Sequence, residues 1–246
     1  MLSPKISAEI VADSEFNGNR LTTFKITVPK FIFGEISKHR MLSMSATSSR
    51  AIGPKTAKKL SCFSPYYWGS NTKGMISGPG LSGIKLRLSK VVWKVAGSFN
   101  NFFSNLLFKL GCSKEIFNRV SESHHYGTLI LTGTDWYNFF NLRASYDAEP
   151  HLALVAYLML KLYITHKPKE MLEGDWHLPL VSTEEGSLSL EDRIVLCVTR
   201  TARASYNNFA PVRDQTKDRQ LFDVLKEQKH LVPFEHAVQI NSNSQG

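Results

Sequence analysis

The segment from Pro150 to Tyr163, which runs Pro-His-Leu-Ala-Leu-Val-Ala-Tyr-Leu-Met-Leu-Lys-Leu-Tyr, most narrows what this chain can fold into. Its apolar residues Leu152, Leu154, Val155, Tyr157, Leu158, Met159, Leu160, Leu162 and Tyr163 fall on nearly every face of a helix, so no wide face is left for water. Proline at its head suits the first turn, where a backbone N–H has no partner inside the helix. Such a helix must be covered all round, by its own subunit or by a partner, and it predicts an oligomer.

At 246 residues the chain can bury a full core, as one elaborated domain or two small ones. The formal charge of +9 sets up a positive field suited to nucleotides, polyphosphates, nucleic acid or acidic membranes, without choosing among them. Cys62, Cys112 and Cys197 are odd in number and scattered, with no CxxC pair or histidine spacing, so neither a disulfide framework nor a metal site is expected. That usage fits a reducing cytoplasm. The start, Met1-Leu2-Ser3-Pro4-Lys5, lacks the apolar core of a secretory signal, and no apolar run is long enough to span a bilayer; a soluble protein is expected.

Along the chain, Leu21 to Val28 alternates Phe24, Ile26 and Val28 with Thr23, Lys25 and Thr27, the period-two pattern of a half-buried strand, and Asn17-Gly18-Asn19 before it signals a turn. Phe31, Ile32, Phe33 and Ile36 predict a short helix after Pro29 that delivers Lys38, His39 and Arg40 at its end. Residues 61 to 83 read as a long ordered loop. Residues 84 to 110 read as a basic amphipathic helix, with Lys85, Arg87, Lys90 and Lys94 among Leu86, Val91, Val92 and Val95; it is expected to pack one stripe on the core and solvate the other. Gly127 to Thr132 reads as a strand, and Thr134 as the N-cap of a helix carrying Asn138, Asn141 and Arg143. Ser189 with Asp192 caps a further helix, Leu221, Phe222 and Leu225 mark a last one, and the tail from Asn241 to Gly246 is expected to fray.

The chemistry concentrates in Lys38-His39-Arg40-Met41-Leu42-Ser43-Met44-Ser45-Ala46-Thr47-Ser48-Ser49-Arg50. Cations, an imidazole and a run of hydroxyls in one short stretch can present guanidinium forks and O–H donors to an anion. The same residues also read as a solvated basic turn before a serine-rich loop. Near the C-terminus, His230 and His236 flank Pro233-Phe234-Glu235, where hydrogen-bonded structural histidines are the ordinary reading. The chain has no GxGxxG after a strand, no GxxxxGK[ST], no HExxH and no GxSxG, so dinucleotide-fold, P-loop, zinc-protease and serine-hydrolase readings have no anchor.

Taken together, these blocks resemble the flavin-dependent thymidylate synthases. His39-Arg40 followed by Ser48 and Arg50 is similar to that family's signature, Arg-His-Arg, seven residues, Ser. Thr134 to Arg143, continuing to Asp147-Ala148-Glu149-Pro150, resembles its second nucleotide and flavin segment. Arg119, Thr201-Ala202-Arg203-Ala204-Ser205-Tyr206 and Pro233-Phe234-Glu235-His236 match further family segments. Lys38 replaces the first arginine of the triplet, which keeps a charge and loses a bidentate fork. Ala46 stands where many relatives carry glutamate, Val232 where a hydroxyl is common, and the last two blocks follow the signature that they usually precede.

The resemblance implies an α+β fold, a mixed mainly antiparallel sheet flanked by helices, forming a single catalytic domain over 1–246 with 55–112 as a loop-plus-helix insertion. It implies a homotetramer with active sites shared between subunits. The implied reaction is reductive methylation of dUMP to dTMP with FAD, NADPH and methylenetetrahydrofolate, and no protein nucleophile. His39, Arg40 and Asn138 are expected to bind FAD, with His230 near the flavin ring or its entrance. Ser48, Ser49 and Arg50 are expected to hold the dUMP phosphate. Arg119 and Arg143 are expected to grip its ribose and pyrimidine, Arg143 also stabilising charge on the ring. Neither a membrane nor a nucleic-acid partner is expected. Two other readings stay open: a relative that binds nucleotides without turnover, given Lys38, Ala46 and the short tail, and a basic nucleic-acid-binding protein using the same arginines, although no recognition motif for it is present.

Overall fold

The computed structural model describes residues 5–51, 62–73, 76–206 and 214–241. Asn17 and Gly18 both take positive φ, 50° and 80°. That is the two-residue reversal whose twist suits a hairpin, so Phe16 pairs with Asn19 and the register of the first two strands follows. β1 (Ser7–Phe16) and β2 (Asn19–Pro29) are joined by β3 (Ser43–Ala46), β4 (Tyr126–Gly133) and β5 (Lys169–Glu170) in a sheet of order β3-β4-β2-β1-β5. β1 with β2, β2 with β4 and β3 with β4 run antiparallel, and β5 joins β1 in parallel. The fold is therefore α+β around a mixed, mostly antiparallel sheet. β6 (Trp176–His177) and β7 (Val238–Gln239) make a separate small ribbon.

Alternation decides the two faces of the sheet. Phe24 opposite Leu131 and Ile26 opposite Leu129, with Val28, make one apolar face. Helix α5 (Pro150–Thr165) lies on it with Leu152, Val155, Ala156 and Met159 fully buried, and Trp136, Phe139 and Phe140 close its end. Glu149 caps α5 by accepting the Leu152 N–H at 2.8 Å, and Pro150 fills the first turn.

The other face is polar at its centre. Ser14, Thr23, Thr132 and Ser45, one residue from each of β1, β2, β4 and β3, are bridged by two histidines of the C-terminal half. His177 lies 2.8 Å from both Ser14 Oγ and Thr23 Oγ1; Thr23 Oγ1 meets Thr132 Oγ1 at 2.7 Å; His236 lies 2.7 Å from Thr132 Oγ1 and 3.2 Å from Ser45 Oγ. A neutral imidazole donates at one nitrogen and accepts at the other, so one uniform orientation of the chain satisfies every group. Burial holds both histidines neutral and lowers their pKa to about 4. His236 thus has the structural role expected of a histidine on that segment.

The remaining helices are α1 (Phe33–Ile36), α2 (Gly83–Lys109), α3 (Lys114–Phe117), α4 (Tyr137–Arg143), α6 (Leu190–Arg203) and α7 (Gln215–Glu227). Ser189 caps α6 as expected, accepting the Asp192 N–H at 3.1 Å. Two expectations, on Thr134 and on α2, need correction. Thr134 is not a cap: α4 starts at Tyr137, and Asp135 instead accepts the Tyr137 N–H at 2.9 Å. Helix α5 is only partly covered by its own subunit, with Tyr157 and Ile164 exposed, which leaves the partner as the other of the two expected covers. Helix α2 does not pack its apolar stripe on the core; among its residues only Gly97 and Ser104 are buried. Residues 52–61, 74–75 and 242–246, which include parts of the expected loop, of the insertion and of the tail, lie outside the described residues. Among the described residues no helix is long and apolar enough to cross a membrane.

Candidate nucleotide site

The signature segment is held by a tight turn. The N–H of His39 bonds to Ile36 O and that of Leu42 to His39 O, both at 3.1 Å. Leu42 is buried against Gly133, where a Cβ would come within 2.5 Å of Leu42 Cδ2, so a side chain there would force Leu42 to shift. The turn lays Lys38, His39 and Arg40 beside α4, and a pocket of about 200 Å³ opens between them. Lys38, His39, Arg40, Asp135, Asn138, Phe139 and Arg143 are among the residues that line it.

Inside the pocket, Arg143 donates its Nε–H to His39 Nε2 at 2.9 Å, and His39 stacks edge-on to Phe139 with centroids 5.0 Å apart. An imidazole nitrogen that accepts from a guanidinium carries no proton, so His39 is neutral with its hydrogen on Nδ1. Its pKa is held below the ordinary histidine value by burial first and by the Arg143 charge second. Glu35 sits 3.9 Å from Arg143 and partly balances it.

Ser48, Ser49, Arg50 and Arg119 gather in a second group that does not line this pocket. Lys30, whose side chain is 3% exposed, donates to Ser49 Oγ at 2.7 Å, and Ser49 Oγ donates to Glu122 at 2.5 Å. Burial lowers the Lys30 pKa, and Glu122 partly restores it. Asn118 donates to Ser49 O at 2.8 Å. Arg119 and Arg50 point outward in ion pairs of 3.7 Å with Glu122 and Glu115, and each is about two-thirds exposed. Long, solvated pairs of this kind hold little energy, so an arriving anion can displace them. Lys30 and Glu122 escaped the sequence reading because a lysine closing a strand and a glutamate in an irregular turn carry no motif.

Blocks distant in sequence converge here. The Ser48 N–H bonds to Ser205 O at 3.0 Å, and His236 reaches Ser45, so the segments around 201–206 and 233–236 both close on β3 and the turn after it. Their order along the chain is immaterial to that packing. His230 is the exception among the expected residues: it is exposed on the turn after α7 and lines neither group. Cys197 is fully buried in α6, which pushes its thiol pKa far up. Among the described residues no cluster of His, Cys, Asp and Glu could hold a metal ion.

Sheet and helices make an α+β chain whose fold is shared with a nucleotide methylase. The chain is similar to the UMP/dUMP methylase PolB from Streptomyces cacaoi in its complex with 5-Br UMP, at a TM-score of 0.52 and 17% identity over 65% of this chain and 89% of that one. A second structure of PolB, bound with 5-Br dUMP, aligns at a TM-score of 0.44 and 19% identity over 58% of this chain and 65% of that one. No family model matches the sequence, and no curated protein does.

Proposed function

We propose that this protein is a flavin-dependent thymidylate synthase that converts dUMP to dTMP with methylenetetrahydrofolate as carbon donor and NADPH as reductant. The observation that supports it best is the Arg143–His39 bond, which joins the two segments carrying the family resemblance in one cationic pocket. The donor set suits FAD: Lys38 and Arg40 offer positive charge to a pyrophosphate, Asn138 offers an amide edge, and Phe139 with neutral His39 offers an apolar wall. FAD bound there supplies the hydride transfer that no side chain can perform.

The protein's own part is binding and charge stabilisation. Ser48, Ser49 and Arg50 hold the dUMP phosphate, Arg119 turns from Glu122 to the ribose, and Arg143 faces the pyrimidine, where a guanidinium stabilises negative charge developing on a ring carbonyl. At about 200 Å³ the pocket is smaller than the roughly 300–1,000 Å³ of a site that encloses a whole cofactor. We assign the rest of the site to a neighbouring subunit in a homotetramer, with His230 at its entrance. The uncovered side of α5, with Tyr157 and Ile164, agrees with such an assembly.

The test is release of tritium from ring-labelled dUMP in the presence of FAD, NADPH and methylenetetrahydrofolate. Release that needs all three supports the proposal, and none from the FAD-loaded protein overturns it. The same assay with UMP measures whether this site discriminates at the ribose 2′ position, since PolB is described as acting on both nucleotides.

A further inference from the structure

Helix α2 is built inside out. It touches the body of the protein through a narrow strip: Trp93 donates to Phe63 O at 2.7 Å, Asn100 lies 3.3 Å from His124 Nδ1, and at Gly97 a Cβ would be 2.8 Å from Cys62 Sγ. The opposite side carries Ile84, Leu88, Val91, Val92, Val95, Phe99, Phe102, Phe103 and Leu106, each 42–67% exposed. At 100° per residue these nine fall within one continuous arc, a stripe about 33 Å long. Its apolar surface is on the order of 1,000 Å², where a monomer's largest patch reaches a few hundred and each side of a stable complex buries about 800 Å².

We propose that this stripe is covered by α2 of a second copy, packed antiparallel about a two-fold axis through Val95. The stripe is centred on that residue, so the two-fold sets Ile84 against Leu106, Leu88 against Phe102, Val91 against Phe99 and Val95 against itself. Each of the two inner pairs sets an aliphatic side chain against a phenyl ring, the alternation of small and large that fills an interface. Charge selects the direction. Helix α2 has no acidic residue, and Lys85, Arg87, Lys90 and Lys94 all lie in its first half, with Lys109 alone near its end. Antiparallel packing brings the cationic half of one copy to the neutral half and negative dipole end of the other, whereas parallel packing would stack four cations on four. A helix lying in an anionic bilayer would be served by cations along its whole length, and between Lys94 and Lys109 this one has none. No α2 residue lines the nucleotide pocket, so the inference is independent of the proposed activity.

The test uses the full chain with Cys62→Ser and Cys112→Ser as background. Val95→Cys is expected to form a disulfide-linked dimer on mild oxidation. Ile84→Cys alone is expected not to, and a mixture of the Ile84→Cys and Leu106→Cys proteins is expected to cross-link. Val95→Asp with Phe102→Asp, both exposed positions, is expected to lower the mass by light scattering at least twofold with an unchanged circular dichroism spectrum. Self-cross-linking of Ile84→Cys, an unaltered mass in the aspartate variant, or a monomeric wild type that sediments with phosphatidylserine vesicles would each overturn the proposal.

Discussion

Arg143 donates its Nε–H to Nε2 of His39 at 2.9 Å, joining residues 104 apart in the chain and locking the imidazole as the neutral Nδ1–H tautomer. The bond ties the turn after α1 to the last residue of α4, and so joins two walls of the pocket.

Replacing Arg143 with alanine is expected to weaken dUMP binding tenfold to a hundredfold, the roughly 1.5 to 3 kcal/mol of a lost charged hydrogen bond, and to weaken FAD binding much less. Calorimetric titration measures both. The same change removes a positive neighbour from His39, so the histidine pKa should rise, which an NMR titration of its ring protons detects. Unchanged dUMP affinity would remove Arg143 from the substrate site.

The histidine ladder predicts acid lability with a defined window. His177 and His236 titrate at about 4 in the folded protein and near 6.5 when unfolded. Their contribution is fully present above pH 6.5. It falls as pH drops toward 4, because the unfolded chain binds protons that the buried imidazoles refuse, and it is constant below that. Each is worth up to about 3 kcal/mol across the window. Urea midpoints should therefore drop between pH 7.5 and 5, and His236→Gln should flatten that slope while lowering stability throughout. A midpoint that does not change over this range would contradict the ladder.

Because the proposed reaction uses no thiolate, Cys62→Ser, Cys112→Ser and Cys197→Ala together should leave dTMP formation largely intact. Cys197 is buried with its thiol pKa pushed up, so its replacement should cost stability through the cavity it leaves, a loss of one to a few kcal/mol. A folded, FAD-bound variant with one cysteine changed and no turnover would show that a thiol takes part.

The sheet was legible where alternation is local. Leu21 to Val28 alternates polar and apolar side chains, Gly127 to Thr132 is a short run rich in apolar and β-branched residues, and both are strands. β1 went unread because Asp13 and Ser14 look solvent-facing, yet both are buried, satisfied by Arg20 and Thr22 across the hairpin and by His166 and His177 from the far end of the chain. Helical periodicity located α2 but could not say which side faces the protein. That depends on Gly97 and Ser104, the two buried residues of the helix, and the importance of Gly97 shows only when Cys62 and His124 pack against it. In the site, the residues of each segment could be named from the family resemblance. The bond between His39 and Arg143 needed the fold, and the Lys30 and Glu122 that hold Ser49 had no signal in the sequence at all.

The central claim is that the cleft formed by His39, Arg40, Asn138 and Arg143 takes FAD. The most direct measurement is the visible absorption spectrum after reconstitution with FAD and removal of unbound flavin. The account predicts a retained flavin spectrum near one FAD per chain, much reduced in a folded His39→Ala, Arg40→Ala variant. A wild-type protein that retains no flavin, or a variant that retains as much as wild type, would contradict it.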